Sequence, residues 1–237
     1  MKQKEKIIVR VIIAVVIGSA IITPNILSLQ KVKAIAMIKN VRLPVPAIEG
    51  KVSVEEAIKK RRSRRNFKDK ALNLSQISQI LWSAQGITEE KGYKRAAPSA
   101  GALYPLEIYL VVKKVEKLET GVYHYNPANH SVDLLLRGNY QTSLARACLG
   151  QMFIADAPIS IVITAQYKRT TGKYGERGIR YVHIEVGHVG QNICLQATAL
   201  GLGTVPVGAF RDEQVSKVLN LPEEYKPLYV LPIGYPE

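Results

Sequence analysis

The chain has 237 residues, of which 47% are hydrophobic and 22% are charged, and its formal net charge is +14. This composition excludes an intrinsically disordered chain, and the length suits one folded domain with a sizeable core. The first 34 residues contribute +5, so the remaining +9 could attract nucleic acid, anionic lipid or a phosphorylated ligand.

The N-terminus carries a targeting pattern. Basic residues among the first ten precede an uncharged stretch, residues 11–30, whose first half is strongly apolar. Such a pattern is typical of a secretory signal or a membrane anchor. Pro24 and Asn25 interrupt the span that a membrane helix needs, and small residues near Ala34 permit cleavage. We predict a signal peptide or membrane anchor over residues 1–34, hence a membrane-associated or exported protein with membrane contact through this segment.

A linker and a single domain are predicted to follow. Pro44 and Pro46 disfavour helix at the residues before them, so residues 35–50 are predicted to be a linker. The folded domain is expected over residues 51–237. Its first helix is indicated by Ser53 and Glu56, which have the spacing of a capping box.

The remaining elements mix helices and strands. Apolar residues at helical spacing from residue 74 predict a second helix that stops at Gly86. Asp212 is expected to cap a short helix, and residues 167–178 are predicted to be a basic loop. Other helices are predicted over residues 141–149 and 181–200, and strands over residues 106–112, 122–125, 132–136, 159–165 and 228–233. Because strands and helices do not strictly alternate, the α+β class is favoured.

A dense basic cluster follows the first predicted helix, with four arginines around Ser63. Guanidinium and hydroxyl groups suit a phosphate monoester. The alternative is a solvated helix end, where cations are favoured by the helix dipole. Nucleic-acid binding is not predicted, because the cluster lacks interleaved aromatic residues.

Two segments of small residues, 98–102 and 203–208, could bring the backbone close to a flat ligand, although tight packing would also explain them. Neither has the spacing of a Rossmann fingerprint or a P-loop. His183 and His188 lie about 140° apart around a helix, so no metal site is predicted there. With Glu185 they line an interface or cofactor pocket, or form satisfied core polarity.

Two cysteines, Cys148 and Cys194, are too few for a disulfide framework. We expect two separate buried thiols, although one bridge is possible if the domain is exported.

Together, residues 61–67, 97–109 and 200–210 resemble the nitroreductase superfamily. The middle segment, with three further motifs, is similar to the SagB-type dehydrogenase branch. These motifs cover residues 121–125, 173–178 and 185–188. The resemblance implies a nitroreductase-like fold, with a mostly antiparallel sheet flanked by helices. It also implies an intertwined homodimer that holds FMN in a cleft between subunits.

The resemblance also implies roles for individual residues. Arg61 and Ser63 would hold the FMN phosphate, Arg65 would face the flavin pyrimidine, and Arg62 would add a contact. The segment passing along the flavin comprises Pro98, Ser99, Ala100 and Ala102. Backbone N–H groups near the redox edge of the flavin would come from Pro206, Val207, Gly208 and Ala209. Unlike many members, this chain has no basic residues after its last strand, so part of the phosphate site is unassigned.

Lys173 and Tyr174 match a Lys-Tyr pair that the SagB-type branch associates with oxidation of azoline rings to azoles. A group of this kind could remove a ring proton while hydride passes to the flavin. A surface loop is the alternative. We therefore expect an FMN-dependent oxidoreductase acting on a small or peptidic substrate, with azoline dehydrogenation as the sharper form. The alternatives are an NAD(P)H-dependent nitro or quinone reductase, an FMN-binding protein without turnover, and a basic membrane-surface module without flavin.

Overall fold

The computed structural model describes residues 39–89 and 94–237. The predicted targeting segment, residues 1–34, lies outside them and stays a prediction. Within the described ranges, no helix has both the length and the apolar character needed to cross a membrane.

One antiparallel sheet organises the described chain, with the strand order β1-β4-β3-β2-β5-β7-β6. Its strands are β1 (Asn40–Arg42), β2 (Leu106–Val112), β3 (Gly121–Asn126), β4 (Ser131–Arg137), β5 (Ile159–Ala165), β6 (Gly203–Thr204) and β7 (Lys226–Gly234). The helices are α1 (Val54–Lys60), α2 (Leu74–Gln85), α3 (Gln141–Ala147), α4 (Phe153–Asp156), α5 (Lys168–Tyr174), α6 (Arg177–Ala199) and α7 (Asp212–Leu219). The predicted α+β class and antiparallel sheet are confirmed.

The sheet is covered on both faces. Alternate residues of β2 divide between two apolar clusters, with Leu110 packing beside α2 and α6, and Val111 beside α3 and α7. Every residue of β5 is buried, as expected for a strand that lies between two helical layers. Burying an aliphatic side chain contributes about 1.5–3 kcal/mol, so this two-sided core holds the scaffold under the site.

Helix ends follow local side-chain chemistry. Ser53 caps α1 by accepting a hydrogen bond from the Glu56 N–H at 3.2 Å, as predicted. The Glu56 carboxylate pairs with Lys60 instead of completing the capping box. The prediction that Asp212 caps α7 is wrong, because Asp212 is the first helical residue and Arg211 occupies the cap position.

Two regions differ from their predicted conformation. Residues 167–178 are not a loop, because α5 occupies Lys168–Tyr174 and α6 begins at Arg177. Tertiary contacts of Arg169 and the buried Thr170 stabilise this short helix, which has no apolar periodicity. Strand β1 lies inside the predicted linker and pairs with β4, so the sheet includes residues before Lys51.

Candidate functional site

The basic cluster lies beside the edge strand β6. Ser63 forms a parallel bridge with Thr204, and the Arg64 N–H donates to the Thr204 carbonyl at 3.0 Å. Gly203 permits this approach, because a Cβ there would lie 2.8 Å from the Arg64 Cβ. The fold therefore joins two predicted ligand segments that are far apart in sequence.

The arginines of the cluster differ in their contacts. Arg62 Nη1 donates to the carbonyls of Lys59 at 2.9 Å and Arg61 at 2.8 Å, so this guanidinium caps the C-terminal end of α1. Ser63 and Arg65 are exposed, and Arg61 is partly exposed. An anion at this edge could therefore contact Arg61, Ser63 and Arg65, while Arg62 remains hydrogen-bonded to the end of α1.

Residues 206–209 continue from β6 along the sheet. The Val207 N–H donates to Val230 at 2.8 Å, so that N–H is engaged within the protein. Pro206 has no backbone N–H to donate. Gly208 and Ala209 are exposed. These two residues are therefore the ones in this segment that can present N–H groups to a ligand.

A turn of unusual backbone conformation precedes β2. The φ angle is positive at Gly101 (63°), Ala102 (53°) and Tyr104 (45°). Positive φ is unfavourable for residues with a Cβ, and such strain tends to collect at functional sites. Pro98, Gly101 and Ala102 are exposed, whereas Ser99 and Ala100 are partly buried. The turn thus offers small residues at the surface while its other contacts hold the strained backbone.

The Ser99 side chain makes two hydrogen bonds that stabilise the turn. Its hydroxyl accepts a hydrogen bond from the Tyr104 N–H at 2.9 Å and donates to Glu185 Oε2 at 2.5 Å. Glu185 is only 2% exposed, and burial raises the pKa of its carboxyl to about 7, although the Ser99 hydrogen bond opposes that change. Within the described chain, Glu185 Oε1 is buried without a hydrogen-bond partner. The Ser99 side chain is therefore committed to the turn.

Lys173 and Tyr174 end α5 directly against this turn. A Cβ on Gly101 would lie 2.7 Å from Tyr174 Oη and 3.1 Å from Lys173 Nζ. The Tyr174 ring also meets the Tyr181 ring edge-on, with centroids 5.1 Å apart. The structure thus brings the predicted Lys-Tyr pair together with the small-residue turn, on a helix rather than on a loop.

These groups form two clusters at opposite ends of the sheet. The phosphate cluster consists of Arg61, Ser63 and Arg65, and the turn cluster consists of residues 98–102 with Lys173 and Tyr174. Residues 206–209 run along β7 between the two ends, with Val207 opposite Val230. At one end, Gly203 pairs with Gly234. At the other end, Leu106 follows the turn and pairs with Ala165, which lies opposite Lys226. Strand β7 between these ends spans roughly 25 Å at 3.3 Å per residue.

A cavity of about 1010 Å³ lies elsewhere, between α1, α2, α6 and residues 45–53. Trp82 and Gln196 are among the residues that line it, and none of the predicted ligand residues does. The predicted ligand residues therefore lie apart from this cavity. In one chain, both clusters lie on the surface.

The partners of these residues were not predicted from the sequence. Glu185 was expected to line an interface or cofactor pocket or to be core polarity, but its partner, Ser99, was not predicted. Glu107 was not singled out, although a carboxylate in the apolar run of β2 was the available signal. His183, which was also weighed for a metal site, bonds to the Tyr167 hydroxyl at 2.6 Å.

A search against protein families matches the Nitroreductase family over residues 58–235. The chain belongs to the nitroreductase family. Among its relatives, the nitroreductase-like protein MJ1384 of Methanocaldococcus jannaschii is 50% identical over 192 residues, which cover 81% of this chain and 95% of the relative. The family match, residues 58–235, includes all predicted ligand segments.

The nitroreductase resemblance extends to the SagB-type branch. The microcin B17-processing protein McbC of Escherichia coli is 31% identical over 163 residues, or 66% of this chain and 60% of the relative. In solved structures, an E. coli microcin synthetase complex matches with 27% identity and a TM-score of 0.66, covering 90% of this chain and 82% of that chain. A nitroreductase structure from Ralstonia eutropha gives 25% identity and a TM-score of 0.74, covering 84% and 90%. The predicted family and nitroreductase-like fold are confirmed.

Proposed function

We propose that two copies of this chain form an FMN-dependent oxidoreductase, in which each flavin contacts the phosphate cluster of one copy and the turn cluster of the other. The separation of the clusters along β7 carries this proposal. One chain presents both sets of ligand groups at its surface but at opposite sheet ends. A second copy could bring a turn cluster next to each phosphate cluster.

The residues at the two clusters fit FMN in charge and in hydrogen-bonding groups. Arg61 and Ser63 offer charge-assisted and hydroxyl hydrogen bonds for the phosphate, and Arg65 adds a cation at the exposed edge. Gly208 and Ala209 can present backbone N–H groups. Bound FMN would supply the hydride chemistry, while the protein contributes orientation and electrostatics.

For the substrate, we propose hydride transfer between the flavin and a small or peptidic organic molecule, with azoline oxidation as the leading case. The contacts of Lys173 and Tyr174 with the turn support it. Oxidation of an azoline removes a hydride and a proton. The hydride would pass to FMN, and Lys173 Nζ or Tyr174 Oη would accept the ring proton.

A second candidate is NAD(P)H-dependent reduction of nitro compounds or quinones. The 50% identity to the nitroreductase-like MJ1384 favours it, as does 28% identity to a protein of Methanothermobacter thermautotrophicus whose name includes NAD(P)H nitroreductase. In this case NAD(P)H would donate the hydride and the Lys-Tyr pair would serve binding. A flavin-binding protein without turnover is the third possibility.

Flavin binding is tested on the full chain by its absorbance spectrum and its mass in light scattering. We expect a yellow dimer. The double variant Arg61→Ala with Ser63→Ala should lose the chromophore. The matched control is Arg146→Ala with Ser143→Ala, which removes the same side chains from exposed positions of α3. A colourless monomer that does not bind added FMN would refute the proposal.

The two reactions are separated by assay of the flavin-loaded protein. One assay supplies NADH or NADPH with a nitroaromatic acceptor, and the other supplies a synthetic peptide containing one thiazoline, with dioxygen to reoxidise the flavin after each turnover. Azoline oxidation would appear as loss of two hydrogens by mass spectrometry and would fall sharply in Lys173→Ala and Tyr174→Phe. Turnover only with NAD(P)H, unaffected by these variants, would favour the second candidate. A flavin that no donor reduces would favour the third.

A further inference from the structure

Arg169 is the meeting point of several elements behind the turn cluster. Its Nη1 donates to the Tyr104 carbonyl at 3.0 Å, and its Nη2 lies 2.6 Å from Glu107 Oε1. The Nε donates to Gln166 Oε1 at 2.6 Å, and Nη2 also reaches the Tyr225 hydroxyl at 3.3 Å. One guanidinium therefore links α5 to the turn, to β2 and to the segment before β7.

The anchor for Arg169 is rigid. Glu107 belongs to β2, which hydrogen-bonds to a strand on each side. Its second oxygen, Oε2, lies 2.7 Å from His124 Nε2 of the neighbouring strand β3. Although burial opposes ionisation, the His124 hydrogen bond and the Arg169 charge lower the pKa of the Glu107 carboxyl overall. Glu107 is therefore an anion fixed between Arg169 and the sheet.

Helix α5 depends on such an anchor. It has only seven residues, and a helix of this length is not stable by itself in water. Arg169 and Lys173 are four residues apart, so they lie on the same side of the helix. Tyr104, whose carbonyl Arg169 holds, has a positive φ and closes the turn that Lys173 and Tyr174 touch. The Arg169 side chain therefore ties α5, which carries Lys173 and Tyr174, to the turn that these two residues touch.

We propose that Arg169 is a positioning residue that fixes the Lys173–Tyr174 pair against the turn. This proposal rests on the proposed function for its catalytic consequence. The planar fork of arginine directs several N–H groups at once, and lysine cannot reproduce that geometry. Displacement of reacting groups by about 1 Å can cost about 100-fold in rate. Arg169→Lys should therefore lower turnover while the charge is kept.

The test compares Arg169→Lys, Arg169→Ala and the control Lys168→Ala in the full flavin-loaded chain, with the thiazoline peptide as substrate. Lys168 is the exposed neighbour of Arg169 on α5. We expect kcat to fall about 10- to 100-fold in both Arg169 variants, with KM changed by less than about threefold and the flavin spectrum unchanged. Added guanidinium should restore part of the turnover of Arg169→Ala. Lys168→Ala should match the parent.

Hydrogen exchange gives a reading that does not need activity or flavin. In Arg169→Lys, amides of residues 99–104 and 168–175 should exchange faster together, whereas those of β3 and β5 should not change. Unchanged exchange at both segments would refute the positioning role, even if the chain bound no FMN. Parent turnover in Arg169→Lys would refute it too. If the flavin spectrum is lost only in the Arg61→Ala with Ser63→Ala variant, that result concerns flavin binding in the proposed function. It says nothing about the role of Arg169.

Discussion

The Ser99 hydroxyl lies 2.5 Å from Glu185 Oε2 and also accepts a hydrogen bond from the Tyr104 N–H. One buried carboxyl of α6 is therefore linked to the turn through Ser99. Gly101 and Ala102, which have positive φ, are exposed, whereas the hydrogen bonds of Ser99 lie on the inner side of the turn. The ionisation of Glu185 is therefore coupled to the conformation of residues that we propose contact the flavin.

Glu185 should make stability depend on pH. Burial raises the pKa of its carboxyl from 4.5 to about 7, and the charged group that faces it is Arg95. Because the pKa of Glu185 is higher in the folded state than in the unfolded chain, its protonation contributes to the free energy of unfolding. This contribution is complete below about pH 4.5 and is lost as pH rises through about 7. The total loss is limited to roughly 3 kcal/mol. The measurement is urea unfolding of the parent and of Glu185→Gln at several pH values between about 5 and 8.

Glu185→Gln keeps a group that can accept the Ser99 hydrogen bond but cannot ionise. The free energy of unfolding of the parent, relative to this variant, should therefore decrease over that pH range. A constant difference would show that Glu185 does not titrate in the folded state near neutral pH.

Gly101→Ala should disturb the turn and the Lys-Tyr pair together. The added methyl would lie 2.7 Å from Tyr174 Oη, at a position with φ of +63°. We expect a loss of about 1 kcal/mol in the free energy of unfolding and lower turnover of the thiazoline peptide. The control is Gly172→Ala in α5, where nothing lies within 4 Å and helix propensity improves. Equal effects of the two variants would contradict the proposed contact.

Gly203→Ala should separate the phosphate cluster from β6. Its Cβ would lie 2.8 Å from the Arg64 Cβ, so residues 63–65 must shift. We expect FMN affinity to fall about tenfold, as loss of one charge-assisted hydrogen bond would produce, measured by fluorescence titration. Gly50→Ala is the control, because its nearest neighbour is 4.0 Å away. Unchanged affinity in Gly203→Ala would argue against phosphate binding at this edge.

The cysteines should be unreactive in the folded protein. Both thiols are free and buried, and burial raises the pKa of Cys148 to about 12 and of Cys194 to about 11. Thiolate is the reactive form, so labelling by iodoacetamide at pH 8 should be slow until the chain unfolds. Rapid labelling of either cysteine without urea would contradict this expectation.

The sequence predicted the elements whose signals are local. Apolar spacing and a stop residue predicted α2, the strands over residues 122–125 and 132–136 correspond to β3 and β4, and the Ser53 cap was correct. The full capping box of α2, formed by Asn73 and Gln76, was also local but was overlooked.

Features that depend on distant partners could not be predicted in the same way. Strand β1 exists because it pairs with β4, and α5 because Arg169 reaches Tyr104 and Glu107. The Glu185 partner, Ser99, lies in a separate segment of the chain. At the site, the resemblance to a family named the residues, but only the fold shows that the arginine and serine cluster and the turn lie at two ends of the sheet, with residues 206–209 between them.

The backbone that follows α1 also covers one side of strand β6 through the bridge between Ser63 and Thr204. Strand β6 is the last in the sheet, and an uncovered outer strand invites pairing with other molecules. Ser63 and Arg64 occupy that side of β6 with their own main chain and add positive charge. We therefore expect the segment proposed to bind a phosphate also to limit aggregation at β6, and variants that detach it should be tested for solubility as well as for bound flavin.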